Sequence, residues 1–215
     1  MTDFAAARRH MVDGQVRTTD VTDLRVISAM LEVPRERFMP QASAAIAYLD
    51  LDVPVEGGRR LLRPMVLAKL IQAAELEATD RVLDVGCATG YTAAVLARVA
   101  SQVVALEQDP SLAKAAREAL SSYPNVDVVN GTLAEGWPKA APYDVVVLDG
   151  ATDVVPHALC QQLKDGGRLV CVLDSGPGSK AMLYRRSGGD VGGRPVFDAS
   201  AGLLPGFAKT LVFAF

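Results

Sequence analysis

The sequence predicts a doubly wound α/β fold: a mostly parallel sheet with antiparallel strands at its carboxyl end and a helical arm at its amino end. Three observations carry this reading. Val82, Leu83 and Val85 form a short apolar run closed by Gly86 and Gly90, with a helical Ala/Leu stretch and a second apolar run, Val103 to Leu106, behind it. Strand-like and helix-like patterns then alternate as far as RLVCVL, which implies a sheet covered on both faces. Finally, AMLYRR and PVFDA flank the glycine-rich SGGDVGGR, as in an antiparallel pair.

Taken in order, residues 2 to 18 predict a helix bearing Arg8, Arg9 and Arg17. Asp20 or Thr22 caps the next helix, whose apolar face is Val26, Ile27, Met30 and Leu31. Pro34, Pro40, Pro54 and Pro64 then exclude long regular elements, and Gly57-Gly58 allows a flexible link. A helix from Met65 to Leu76 leads onto the sheet. After the strand ending at Glu107 come a helix at 110 to 122, the strand VDVVNG, a loop through Trp137 and Pro138, and the strand YDVVVLDG. A helix at 155 to 164, stopped by Gly166-Gly167, precedes RLVCVL, and LVFAF reads as a closing strand. The organisation expected is an arm over residues 1–64 and a core over residues 65–215.

Composition narrows the class. Half the residues are hydrophobic and the net charge is −3, so no chain-wide electrostatic case for nucleic acid or an anionic membrane exists. The cysteines Cys87, Cys160 and Cys171 are odd in number and lack metal-ligand spacing. With no signal-peptide pattern and no long uncharged apolar run, a cytoplasmic protein without a metal site is expected.

The chemistry gathers at the first strand–loop–helix–strand unit. Gly86, Ala88 and Gly90 let a ligand approach the backbone closely. Glu107 follows Asp84 at the distance at which a strand-end acid meets both hydroxyls of a ribose. A dinucleotide fingerprint needs G-x-G-x-x-G, whereas the loop here is G-x-A-x-G followed by Tyr91. The unit resembles instead the S-adenosylmethionine site of class I (Rossmann-like) methyltransferases.

VPRERFMP, AYLDLDVPV, RPMVLAKL, VLDVGCATGYTAAVLA, YDVVVLDGA and ALCQQLKDGGRLVCV extend the similarity over nearly the whole chain. In this ordered series the sequence resembles the protein-L-isoaspartate O-methyltransferase family. That resemblance implies methyl transfer from S-adenosylmethionine to the α-carboxylate of an isoaspartyl residue in protein, leaving S-adenosylhomocysteine. It assigns cofactor binding to Asp84, Gly86, Cys87, Ala88, Gly90, Tyr91, Glu107, Gln108, Gly131, Thr132 and Leu133, with Thr132 where the family carries an acid.

On the substrate side the family reads approximately G-Q-T-I-S-Q-P, and this chain reads Gly58, Arg59, Arg60, Leu61, Leu62, Arg63, Pro64. Leu62 replaces the active-site serine and cannot hydrogen-bond an acceptor carboxylate. Leu61, Leu62, Arg59, Arg60 and Arg63 are therefore substrate-side candidates, the arginines being either donors to an anionic acceptor or simply solvated. Asp149 ends its strand either as an acceptor-side group or as a turn cap. His157 reads as a base or a solvated helix start, Cys87 as loop packing, and Trp137 as loop packing. The reading of transfer to a protein carboxylate stands beside two others, a cofactor-binding but silent sensor or interaction module, and an enzyme with a different acceptor.

Overall fold

The computed structural model describes residues 3–174 and 178–209. In the arm, α1 (Phe4–Met11) and α2 (Leu24–Glu32) precede the two-residue strands β1 (Val53–Pro54) and β2 (Arg60–Leu61), and α3 (Pro64–Ala73) leads into the sheet. There follow β3 (Arg81–Val85), α4 (Tyr91–Leu96), β4 (Gln102–Glu107), α5 (Pro110–Ala119), β5 (Val126–Asn130), β6 (Tyr143–Thr152), α6 (His157–Cys160), β7 (Leu163–Leu173), β8 (Lys180–Ser187) and β9 (Asp190–Asp198). Among the described residues the main sheet has seven strands, in the order β5-β4-β3-β6-β7-β8-β9. They are parallel from β5 to β7 and antiparallel beyond it. This is the architecture the alternating pattern predicts.

Several boundaries differ from the sequence reading. The first helix stops at Met11, and the chain continues through a wider π turn over Val12–Val16 and a 3-10 turn over Arg17–Thr19. Asp23, not Asp20 or Thr22, caps α2 by accepting from the Arg25 amide, while Asp20 takes a left-handed φ of 66°. The expected helix at 155 to 164 shrinks to His157–Cys160. Gly166-Gly167 does not stop it: the pair lies inside β7, where the left-handed Gly166 goes with a register shift against β6. The expected strand LVFAF lies outside the described residues.

The central strands are hydrophobic on both faces because both are covered. Val82, Val103, Ala105, Val145 and Val147 join a core with the arm, α3 and α4. Leu83, Val85, Val104, Leu106, Val146 and Leu148 join a second core with α6. Extending this two-residue period puts Asp84, Glu107 and Asp149 on the arm-facing side, at or near the carboxyl ends of β3, β4 and within β6. Since β4 and β6 flank β3 on opposite sides, that end is the switch point where open α/β sheets bind ligands.

Fully buried Arg35 ties the arm to this edge. Its Nε donates to the Ala47 carbonyl at 2.9 Å and its Nη2 to the Leu62 carbonyl at 2.7 Å, with the guanidinium 4.6 Å from the Tyr91 ring centroid. Removing the guanidinium leaves two carbonyls without their donor. Arg35→Ala is therefore expected to lower the unfolding free energy by about 3 kcal/mol, measured by urea titration.

Candidate active site

The glycine loop takes its shape from Gly86 and Gly90, with φ of 85° and 96°, and from Ala88, held at φ 49°. Gly86 and Cys87 amides donate to the Leu106 carbonyl at 2.8 and 3.1 Å, which fixes the loop against β4. A Cβ on Gly90 would lie 2.6 Å from Leu120 Cδ1, so only glycine suits the start of α4.

Glu107 is 1% exposed and heavily bonded. Its Oε2 accepts from the Ala88 amide at 2.8 Å, and its Oε1 from the Gln108 and Asp109 amides at 2.8 and 3.1 Å. Arg59 completes the set: Nη1 lies 3.0 Å from Oε1 and 2.9 Å from Oε2, and Nη2 donates to the Gly86 carbonyl at 2.6 Å. The three arginines between Gly58 and Pro64 thus have three fates. Arg59 is buried in this pair, Arg63 lies against Asp52 at 3.2 Å, and Arg60 is exposed.

Asp84 is buried with no hydrogen-bond partner for its carboxylate among the described residues, and Asp149 is buried beside the Thr92 hydroxyl. Burial, reinforced by the neighbouring acids, pushes Asp84 well above the usual aspartate range. Burial pushes Asp149 up to about 6. The Tyr91 hydroxyl, on α4, is buried beside the Arg35 guanidinium. Burial also raises the Cys87 thiol, a state that favours packing over nucleophilic attack.

A cavity of about 120 Å³ beside the loop is lined by Gly58, Arg59, Arg60, Leu62, Asp149, Gly150, Gly202, Leu203 and Leu204. Leu62 and Asp149 therefore share a wall, whereas Leu61 is packed in the core and Arg63 borders a different groove. On the far side of Glu107, Asn130 Nδ2 donates to the Glu107 and Gln108 carbonyls, and the Trp137 ring packs on Gly131. Thr132 is exposed and Leu133 buried beside them. His157 and His10 are exposed and line no part of this cavity. Sequence reasoning missed Leu204, whose packing on Gly86 and Gly150 comes from a tail without a recognisable pattern. It also missed Arg35, visible only as one arginine in VPRERFMP.

The profile of the protein-L-isoaspartate(D-aspartate) O-methyltransferase family matches residues 6–196. The chain belongs to this family. A protein-L-isoaspartate O-methyltransferase from Pelotomaculum thermopropionicum is 40% identical, over 85% of this chain and 81% of its own. Another from Methylorubrum extorquens is 40% identical over 87% and 83%. A solved protein-L-isoaspartate O-methyltransferase superposes with a TM-score of 0.79 at 26% identity, over 93% of this chain and 66% of that one. A Plasmodium falciparum protein described with the same activity, solved with S-adenosyl-L-homocysteine, shares the fold at a TM-score of 0.79 and 18% identity.

The family's cofactor can be tested against these residues. Acceptors without partners at Asp84, a strand-end carboxylate at Glu107 and a loop without side-chain bulk at Gly86 suit a ligand bearing an amino group and ribose hydroxyls. The chemistry fits; the space beside Gly86 is held by Arg59 and Leu204.

A carboxyl that binds its proton more tightly folded than unfolded destabilises the fold increasingly as pH rises from about 4 to beyond 6, and the penalty vanishes below that window. Asp149→Asn should therefore raise the melting temperature at pH 8 and lose this advantage at pH 4, as read by thermal denaturation across that range.

Proposed function

We propose that this chain is an S-adenosylmethionine-dependent methyltransferase of protein carboxylates, isoaspartyl residues being the nominal acceptor. The single observation that carries the reading is Glu107: a buried carboxylate at the end of β4, beside a glycine loop without side-chain bulk of its own, in a chain of this family.

When bound, the sulfonium supplies an electrophilic methyl group. The chain's own part is binding and orientation. Glu107 would hold the ribose hydroxyls, Asp84 the amino group, and Gly131, Thr132 and Leu133, with Gln108, the adenine side. Gly86, Cys87, Ala88 and Gly90 would supply the backbone cradle, and Tyr91 the floor beneath it. Residues 65–215 on this reading hold the cofactor, and residues 1–64 present the acceptor.

A carboxylate is already nucleophilic at neutral pH, so in-line placement does most of the work and no general base is required. Leu62 offers no hydroxyl to hold it. Asp149, on the same cavity wall and titrating at about 6, retains a protonated fraction near neutrality that can donate to an acceptor oxygen. Arg60, exposed at the cavity edge, can supply a charge-assisted bond. The expected partner is thus a protein or peptide. A net charge of −3 supports no role for nucleic acid, and three free buried cysteines support a reducing, cytoplasmic setting. No helix among the described residues is long and apolar enough to cross a membrane.

The loss of the hydroxyl at Leu62, together with the filled space beside Gly86, favours a second reading, a relative that binds protein or cofactor without turnover. Labelled S-adenosylmethionine and an isoaspartyl peptide separate the two. Base-labile methyl ester in the peptide supports transfer, and Leu62→Ser is expected to raise the rate at least tenfold by restoring a hydrogen bond worth about 1.5–3 kcal/mol to a charged group. Absence of ester from both proteins would refute the carboxylate assignment.

A further inference from the structure

We propose that Arg59 is a built-in competitor for the cofactor, an arm side chain that occupies the ribose seat and must withdraw before the cofactor binds. The inference rests on the cofactor reading above and adds a regulation of the same site.

Its first support is saturation of Glu107. Each oxygen already accepts from the backbone, and Arg59 Nη1 bridges both at 3.0 and 2.9 Å. A pair of ribose hydroxyls would need those same lone pairs. Its second support is space. An atom at the Cβ position of Gly86 would lie 2.6 Å from Arg59 Nη2, so the gap a glycine leaves open for a ligand is taken by the guanidinium. The cavity of about 120 Å³ that does open beside the guanidinium has neither Glu107 nor Gly86 in its lining.

The arginine also has a way out. Gly57 and Gly58 precede it with φ of 65° and 71°, and Gly58 has open space around it. Arg60, next along the chain, is exposed, so solvent lies one residue from the buried pair. A purely structural strut between arm and sheet needs neither the glycine pair nor contact with the two atoms a ligand would use.

Apparent affinity falls in proportion to the open fraction, since the measured constant is the intrinsic one divided by the population able to bind. Breaking a buried charge pair is unfavourable, so that population is small, about one part in ten or less. Calorimetry with S-adenosyl-L-homocysteine on the full chain and two variants tests this. Arg59→Gln, carrying the family-like residue, is expected to bind at least tenfold tighter than the unmodified chain. Arg59→Lys, which keeps the charge but cannot bridge both Glu107 oxygens and the Gly86 carbonyl together, should fall between. If R59Q binds equally or more weakly, the lock is overturned while the cofactor reading stands. If no folded form binds, both fall. Should R59Q fail to fold, R59K decides, tighter binding supporting the lock and equal or weaker binding overturning it.

Discussion

The pairing of Arg59 with Glu107 is the contact on which the site in this structure depends. It spans 48 residues of sequence and joins the arm to the carboxyl edge of the sheet, at 6% and 1% exposure. Both charges are out of water, and the pair is tolerable because every oxygen of Glu107 is bonded and the second Arg59 nitrogen finds the Gly86 carbonyl. The loop's accessibility follows from where this guanidinium lies, since its Nη2 takes the space that Gly86 leaves open.

Around the pair, the alternation of parallel strands imposes an unusual concentration of acid. Asp84, Glu107 and Asp149 emerge on one face because their strands are in register and each side chain is an even number of residues from buried Val82, Val103 and Val145. Only Glu107 has a cationic partner among its hydrogen bonds. The other two retain protons to higher pH as the cost of burial, leaving a site that is less negative than its composition suggests.

Much of this was legible in the residues. The apolar runs around Val82–Val85, Val103–Leu106 and Tyr143–Asp149 announce buried parallel strands, and the small residues between Asp84 and Gly90 mark the ligand loop. The terminal Glu107 was equally plain. What periodicity does not encode is the destination of a long side chain: the sequence offers Arg59, Arg60 and Arg63 as equals, and tertiary geometry buries one, pairs one half-buried and leaves one in solvent. Helix lengths failed for a local reason, since a glycine pair such as Gly166-Gly167 serves a bulge in a strand as readily as a helix terminus.

The stretch after β9 folds back so that Leu204 donates its amide to the Ala151 carbonyl at 2.9 Å and wedges its side chain against Gly86 and Gly150. One wall of the cavity is thereby built from Gly202, Leu203 and Leu204, which follow β9. Because Leu204 meets two glycines that offer no side chain to yield, a bulkier residue at 204 would push this wall off the glycine loop, whereas Leu204→Ala would widen the gap between them.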